Sequence, residues 1–467
     1  MEKKKSSTKL GISILFFEAL TVLGGFIALS YIEYVYTDLA HLEVGMMTTG
    51  MTVASVLNFI VALLVGVIMQ KSKGGKMGKN RRFILLGFII AIIGGLMSAF
   101  TFGSSAIVKC VIISAGYFLY NASLDFTYNA KYSLYGRMAN GDSDTLSKFT
   151  GMAYGGGNAG FVIVSLGFLS LAALLGQGND QLGFFLSQVV FTVLVIVGVI
   201  LILRASKPFE GGTVSAEEDE SAQIGFLDML KGAFANKPAL TVFIAFMIKS
   251  LGYTLFNFLL VYQCVYVLND LNLMTWALVG VSLASMLGGF LAPKASRIFG
   301  GRKKATLISY AVSAVCFILL GFFGKTIAGF LITMLLGALI ISIGDSFEAP
   351  LYLDAGEYWY SKTGNDTRPF VMSLPGIGAK IYYIFVPMLS GLVLTMAHYS
   401  EESIMVGKDA AMMTGGLGFI PAAGLILFII ILLIFHRVSD KEIEKCIAEN
   451  AAKDAAMETA EESKGNE

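Results

Sequence analysis

Long apolar runs separated by short polar breaks repeat along nearly the whole chain. An apolar run of about 18 residues or more lets a helix cross the hydrocarbon core of a bilayer. Roughly twelve such runs, each of about 20 residues, are present. They lie at approximately 11–35, 44–69, 83–104, 107–135, 149–175, 183–204, 238–268, 273–298, 306–323, 326–352, 369–396 and 416–436. The pattern predicts an all-α membrane protein of about twelve transmembrane helices.

Composition excludes the main rival, a large soluble enzyme with buried helices. Of 467 residues, 55% are hydrophobic and only 14% charged, and the mean hydropathy is +0.72. So few charges cannot cover a soluble surface. Basic residues fall on one set of loops: Lys71, Lys73, Lys76, Lys79, Arg81 and Arg82, then Arg137 and Lys148, then Arg302, Lys303 and Lys304, then Lys362 and Arg368. The opposite loops 36–46, 176–182 and 269–273 have no Lys or Arg, with Lys325 and Lys408 the main exceptions on that side. Lys and Arg mark cytoplasmic loops. Both termini are therefore expected in the cytoplasm, in a multi-pass protein of the inner or plasma membrane. The first run follows Lys3, Lys4, Lys5 and Lys9 but is too long for a signal peptide and lacks a small-residue cleavage site, so it reads as a retained span. The four cysteines stand singly and read as packing residues, with no disulfide or metal spacing. The net charge of +1 gives no sign of a nucleic-acid partner.

The chain divides in the middle. Residues 1–204 and 238–436 each hold about six runs, separated by a polar cytoplasmic loop, 205–237, and followed by a tail, 437–467. The loop carries the acidic run Glu217, Glu218, Asp219 and Glu220, after which Phe226, Leu227, Leu230 and Phe234 could line an interfacial helix. The halves echo each other. Gly74-Gly75-Lys76 and Arg81-Arg82 follow the second run, and Gly300-Gly301-Arg302-Lys303-Lys304 follow the eighth. A Gly-plus-basic turn at the same place in each half points to a parallel six-span repeat, the plan of the major facilitator fold with two six-helix bundles. Glycine clusters such as Gly24-Gly25 and Gly155-Gly156-Gly157 suit close helix approach or bending.

A charge inside a span is costly unless paired or hydrated, so each is a candidate site. Asp125 sits mid-span with Asn121, Tyr128 and Asn129 on one helical face, a polar stripe suited to binding hydroxyls or to interhelical hydrogen bonds. Lys380 lies deep in the eleventh run and needs a carboxylate, for which Asp125, Glu357 and Glu18 are candidates. Asp345 and Glu348, three apart, share a face and resist both being ionised, so one of them could carry a proton. Asp354 and Glu357 are expected to form gate ion pairs with the basic loops. Glu33 and Lys109 lie near outer ends and can snorkel to water. Lys131 and Lys249 could do the same. No phosphate loop, nucleophile set or metal motif is visible and no cofactor is expected. Without an ATP-binding domain, uphill transport must use an ion gradient.

Three blocks resemble the glycoside–pentoside–hexuronide:cation symporters, the melibiose permease group of the major facilitator superfamily. Tyr31, Tyr34, Tyr36, Thr37 and Asp38, with Leu42 and Gly45, look like its aromatic run. Gly66 through Gly78-Lys79, with Phe83 to Gly87, looks like its basic turn. Asp354, Glu357, Tyr358, Lys362, Thr363, Gly364 and Arg368, in a polar, Gly-containing hinge between two apolar runs, match its acidic-Tyr-Lys-Thr-Gly-Arg signature. The resemblance implies Asp125 as sugar-binding carboxylate, Lys380 as the lysine between sugar and cation sites, and Asp354, Glu357 and Arg368 as a cytoplasmic gate. Departures from the family pattern are informative. Its second-span cation carboxylates fall on Asn58 and Ala62, its first-span sugar carboxylate on Val22 with Glu18 a turn away, its stacking aromatics on Asn129 and Asp345, and its fifth-span Arg near Ala153.

The expected function is import of a glycoside or uronide by cation symport with alternating access, with the proton favoured over sodium. Asp125, Asn121, Tyr128, Asn129 and Lys380 would bind substrate, and Glu18, Asp345 and Glu348 would couple. The protein is expected to act as a monomer in the bilayer on a small molecule. The alternatives are a carrier of an organic anion or amphiphile and a non-transporting membrane sensor. An embedded enzyme is not expected.

Overall fold

The computed structural model describes residues 2–72, 77–103, 105–140, 143–210, 235–364, 371–372, 374–436, 438–439 and 442–450. Twelve helices among them are long and apolar enough to cross a membrane. They are α1 Thr8–Ser30, α2 Val44–Val65, α3 Lys79–Ser98, α4 Ala106–Ala139, α5 Lys148–Gly176, α6 Asp180–Ala205, α7 Lys237–Val267, α8 Asn272–Phe299, α9 Arg302–Phe323, α10 Ile327–Thr363, α11 Leu374–Met396 and α12 Gly407–Phe435. Most of the central loop, including the acidic run and Phe226, Leu227, Leu230 and Phe234, lies outside the described residues, as do the tail from 451 and Arg368.

Three spans depart from the hydropathy pattern. Past Ser30 the first helix does not end in a plain loop. It continues through a short helix, Ile32–Tyr34, and a wide π turn, Val35–Leu39. A second π turn, Gln263–Val267, ends α7. Each extra residue in such a turn re-aims the side chains beyond it. α10 is broken instead of straight: one helical stretch ends at Asp345 and the next starts at Glu348. Pro350 explains the break, since it lacks an N–H for the carbonyl of Ser346 and its ring crowds that turn. Asp345 and Glu348 thus flank the break, and both lie near Lys249 and Tyr310. The signature expected as a hinge is helical as far as Thr363, with Gly356 buried inside the helix. Gly364 ends it in the left-handed conformation, at φ 73°.

Gly74, Gly75 and Lys76 of the first Gly-plus-basic turn lie outside the described residues, but a glycine caps the following helix in both halves. Gly78 precedes α3 at φ 86°, and Gly301 precedes α9 at φ 134°. Both values favour glycine. At α3 the reason is also spatial. Buried Glu210, just past α6, accepts from the backbone N–H groups of Asn80 and Arg81 at 3.0 and 2.9 Å. A Cβ on Gly78 would stand 2.3 Å from that glutamate's Cγ.

Other glycines allow helices to touch backbone to backbone, as in membrane bundles generally. On α5, Gly156 and Gly160 leave room for the carbonyls of Leu15 and Ala19 on α1, which a Cβ would approach to 2.3 and 2.2 Å. Gly94 of α3 faces Gly116 and Tyr120 of α4 in the same way. Around these contacts Ile14, Phe17, Phe83, Leu134, Tyr135 and Phe149 form a buried apolar core.

By contacts the chain forms two compact units. The first is Met1–Glu220 with Asn257–Ser282 and Ile384–Ala410. The second is Ser221–Phe256, Leu283–Tyr383 and Ala411–Glu467. In the second, the rings of Phe246, Tyr310, Tyr352 and Phe428 pack together.

Candidate functional site

In the first unit, Glu18 of α1 is buried and both its oxygens are engaged. Lys131 of α4 donates to Oε2 at 2.8 Å, and Tyr135, one turn further along α4, donates to Oε1 at 2.7 Å. The spacing of four residues puts both donors on one helix face. Lys131 also lies near the rings of Tyr128 and Tyr132, at 5.9 and 5.6 Å from their centroids. It is an ion-pair partner, not a snorkelling lysine. The pair borders a pocket of about 200 Å³, to which Thr21, Ser123, Thr127, Gln188 and Thr192 bring polar groups. Gln188 donates to the carbonyl of Gly24 at 2.9 Å, and its own Oε1 has no partner. The pocket therefore offers a cation and hydroxyls.

The second unit repeats this theme with the charges exchanged between helices. Lys249 of α7 pairs with Asp345 of α10 at 2.5 Å. Tyr310 of α9 donates to the same carboxylate at 2.6 Å. Lys249 lies 5.7 and 5.4 Å from the ring centroids of Tyr253 and Tyr310. So in each half the first and fourth spans are joined by a lysine–carboxylate pair, and a tyrosine hydroxyl supports each carboxylate. Lys249, only 5% exposed, does not snorkel either.

A third cluster lies in the first unit at the end of α1 away from its N-terminus, and the sequence reading set its key residue aside. Glu33 does not reach water: it is 1% exposed and accepts from Ser390 of α11. Asp38, in the π turn, accepts from Thr37 at 2.7 Å, from Tyr266 of α7, and from Tyr399 after α11 at 3.0 Å. Thr37 also lies 2.8 Å from the hydroxyl of Tyr262. Asp38 is past the membrane-spanning part of α1, and burial pushes its carboxyl up to about 6 although the three hydroxyls pull the other way. At the rim His41 and Glu401 pair at 2.7 Å. One sequence signal for this cluster was available. Tyr262 and Tyr266 are four apart, as are Tyr34 and Asp38.

The expected substrate face on α4 is divided. Asn121 is buried and donates to the carbonyl of Tyr117 on its own helix at 2.9 Å, Asp125 is half-buried, and Tyr128 and Asn129 are exposed. Lys380 is half-buried on α11; it belongs to the second unit and Asp125 to the first. Glu348 is half-buried beyond the kink. Of the expected gate, Asp354 is buried and accepts from Arg302 at 2.9 Å, an ion pair with a basic loop. Glu357 accepts from Asn450 at 2.6 Å, which docks the tail helix on α10. Asn58, where the resemblance puts a cation carboxylate, is buried with Oδ1 unpartnered. An apolar groove of about 750 Å³ runs between α2 and α4, lined by Val53, Ala54, Leu57, Val111 and Phe118 among others.

A family profile described as MFS/sugar transport protein matches residues 19–440. An uncharacterised symporter of Bacillus subtilis is 21% identical over 413 residues, covering 88% of each chain. A proposed sulfoquinovose importer of Escherichia coli is 24% identical over 440 residues, covering 92% of this chain and 91% of its own. Among solved structures, a mutant of the nucleoside transporter NupG superposes with a TM-score of 0.65 at 15% identity, covering 90% of this chain and 99% of its own. At that identity the likeness concerns the fold alone, and the fold is that of the major facilitators.

Proposed function

We propose that this chain, which belongs to the MFS/sugar transport protein family, imports an anionic sugar derivative of the uronide or sulfonated-sugar class by proton symport. The observation that carries the reading is the Glu18–Lys131 pair beside the polar pocket. Protonation of Glu18 cancels its charge and frees Lys131 as a cation among hydroxyls. An anionic substrate group then takes the carboxylate's place. When the substrate leaves, Glu18 recovers Lys131 and gives up its proton. One anion and one proton thus move together, and no buried charge is left unpaired. Thr21, Ser123, Thr127 and Thr192 would supply hydrogen bonds to sugar hydroxyls.

The proton is favoured over sodium because Asn58 and Ala62 leave the second span without the carboxylates a hard cation needs. Asp125, in the same unit as the pair, is a further proposed substrate contact, and the bias of Lys and Arg to one set of loops supports cytoplasmic termini. The relative named as a sulfoquinovose importer supports including sulfonated sugars. A second reading, carriage of an amphiphile, draws on the apolar groove between α2 and α4.

The test is uptake into proteoliposomes of a labelled glucuronide, a sulfonated sugar and a neutral galactoside, under an imposed proton or sodium gradient. Proton-driven uptake of the acidic sugars, lost in Glu18→Gln, supports the reading. Uptake of the neutral sugar alone, or driven by sodium alone, overturns it. Transfer of a labelled amphiphile without any sugar uptake favours the second reading.

A further inference from the structure

Glu33 and Asp38 hold together three segments distant in sequence without the help of a cation. Among the described residues neither forms an ion pair. Glu33 has one oxygen bonded to Ser390 and the other without a partner. Asp38 is held by hydroxyls alone, from Thr37, Tyr266 and Tyr399. The titratable groups facing them are Tyr34 from the end of α1, Tyr262 and Tyr266 from α7, Tyr399 from the segment after α11, and Glu401 at the rim. Of the basic groups at this end, His41 pairs with Glu401, His398 with Asp409, and Lys109 with the carbonyl of Ala40. A fully buried carboxylate that lacks a cation and has one oxygen unbonded is far costlier charged than neutral. Glu33 depends for its burial on α7 and α11 lying against the end of α1. If those segments part, water reaches the carboxyl and its ordinary acidity returns.

We propose that Glu33 is a proton-binding site that locks this end of the protein: it holds a proton while the ends of α1, α7 and α11 are joined, and loses it when they part. Closure on the side away from the termini then requires a proton from that side. A lower pH there favours the closed form. This deepens the transport reading by adding a gating proton separate from the one at Glu18. Asp38 acts beside it as the hydroxyl-bonded clasp.

Infrared difference titration of the reconstituted full chain tests this without any substrate, so the result stands apart from the fate of the sugar reading. In the wild type a protonated-carboxyl band persists above the pH at which exposed carboxylates have ionised. The band is missing in Glu33→Gln and present in Asp38→Asn. In Ser390→Ala it persists to higher pH, because a hydrogen bond favouring the charged form has been removed. Identical bands in wild type and Glu33→Gln at every pH overturn the proposal. If Glu33→Gln does not fold, an unchanged titration in Ser390→Ala overturns it equally.

Discussion

Asp38 and Tyr266 stand at matching positions in the two halves of the chain and are hydrogen-bonded to each other. Each is the fourth residue of a π turn, Val35–Leu39 and Gln263–Val267. Three residues after each comes a left-handed residue, His41 at φ 53° and Asn269 at φ 54°. The same backbone device thus presents an acceptor from one repeat and a donor from the other. A symmetric pair of carboxylates would repel, and a pair of phenols would lack a charged acceptor. Divergence of the repeats at this one position makes the joint.

The joint is expected to respond to acid. The Asp38 carboxyl, pushed up to about 6 from 3.8, holds its proton more tightly in the joined state than when exposed. Its contribution to stability is full below about pH 4 and is lost as the pH rises through about 6, amounting to on the order of 1–3 kcal/mol. Thermal unfolding of the detergent-solubilised protein across that window should show this slope, and Asp38→Asn should flatten it. An unchanged slope in the variant would show that the acid response arises elsewhere.

The Glu18–Lys131 pair should behave as one unit. Lys131→Gln leaves a buried carboxylate without its cation, and the expected loss is about 3–5 kcal/mol. The double variant Glu18→Gln/Lys131→Gln should be more stable than Lys131→Gln alone. Denaturation midpoints of the four proteins give the coupling directly. Strict additivity of the two single effects would count against a pair that matters.

Contact between α3 and α4 rests on missing side chains. A Cβ on Gly116 would lie 2.3 Å from the backbone nitrogen of Ser98. Backbone cannot rotate out of the way as a side chain can, so Gly116→Ala should cost about 1–3 kcal/mol. Gly155→Ala, where nothing lies within 4 Å, is the matched control. Equal melting temperatures for the two variants would refute the close approach.

His436, just past α12, is 1% exposed, and among the described residues neither ring nitrogen has a partner. Burial, with Lys303 nearby, lowers its pKa from 6.5 to about 4. The unfolded chain takes up this proton first. Stability is therefore fully present above about pH 6.5 and is lost as the pH falls toward 4. His436→Leu should remove that part of the acid sensitivity in a pH series of unfolding midpoints. A wild-type acid profile in the variant would refute the assignment.

Hydropathy alone located the spans, and the two Gly-plus-basic turns revealed the repeat. Both are local properties: a run of about 20 apolar residues reports its own fate, and a glycine at positive φ serves its own turn. The reading went astray where a residue's surroundings come from elsewhere. Glu33 near the end of an apolar run looks free to reach water, yet Ser390, 357 residues away, closes over it. Lys131 and Lys249 look able to snorkel until their carboxylates are found 113 and 96 residues distant. The kink between Asp345 and Glu348 was signalled by Pro350, which the hydropathy count passes over.

The sequence by itself determined that this is a twelve-span, two-repeat membrane protein, which follows from the length, order and turn chemistry of its segments; the sugar-transport kind came from the resemblance of its motifs to a known family. Tertiary structure alone decided which charges are paired, which tyrosines serve which carboxylates, and that Glu33 and Asp38 have hydroxyls but, among the described residues, no cation. Inside a membrane protein the energy of a charge is set by the few atoms packed against it, and here those atoms come from other helices.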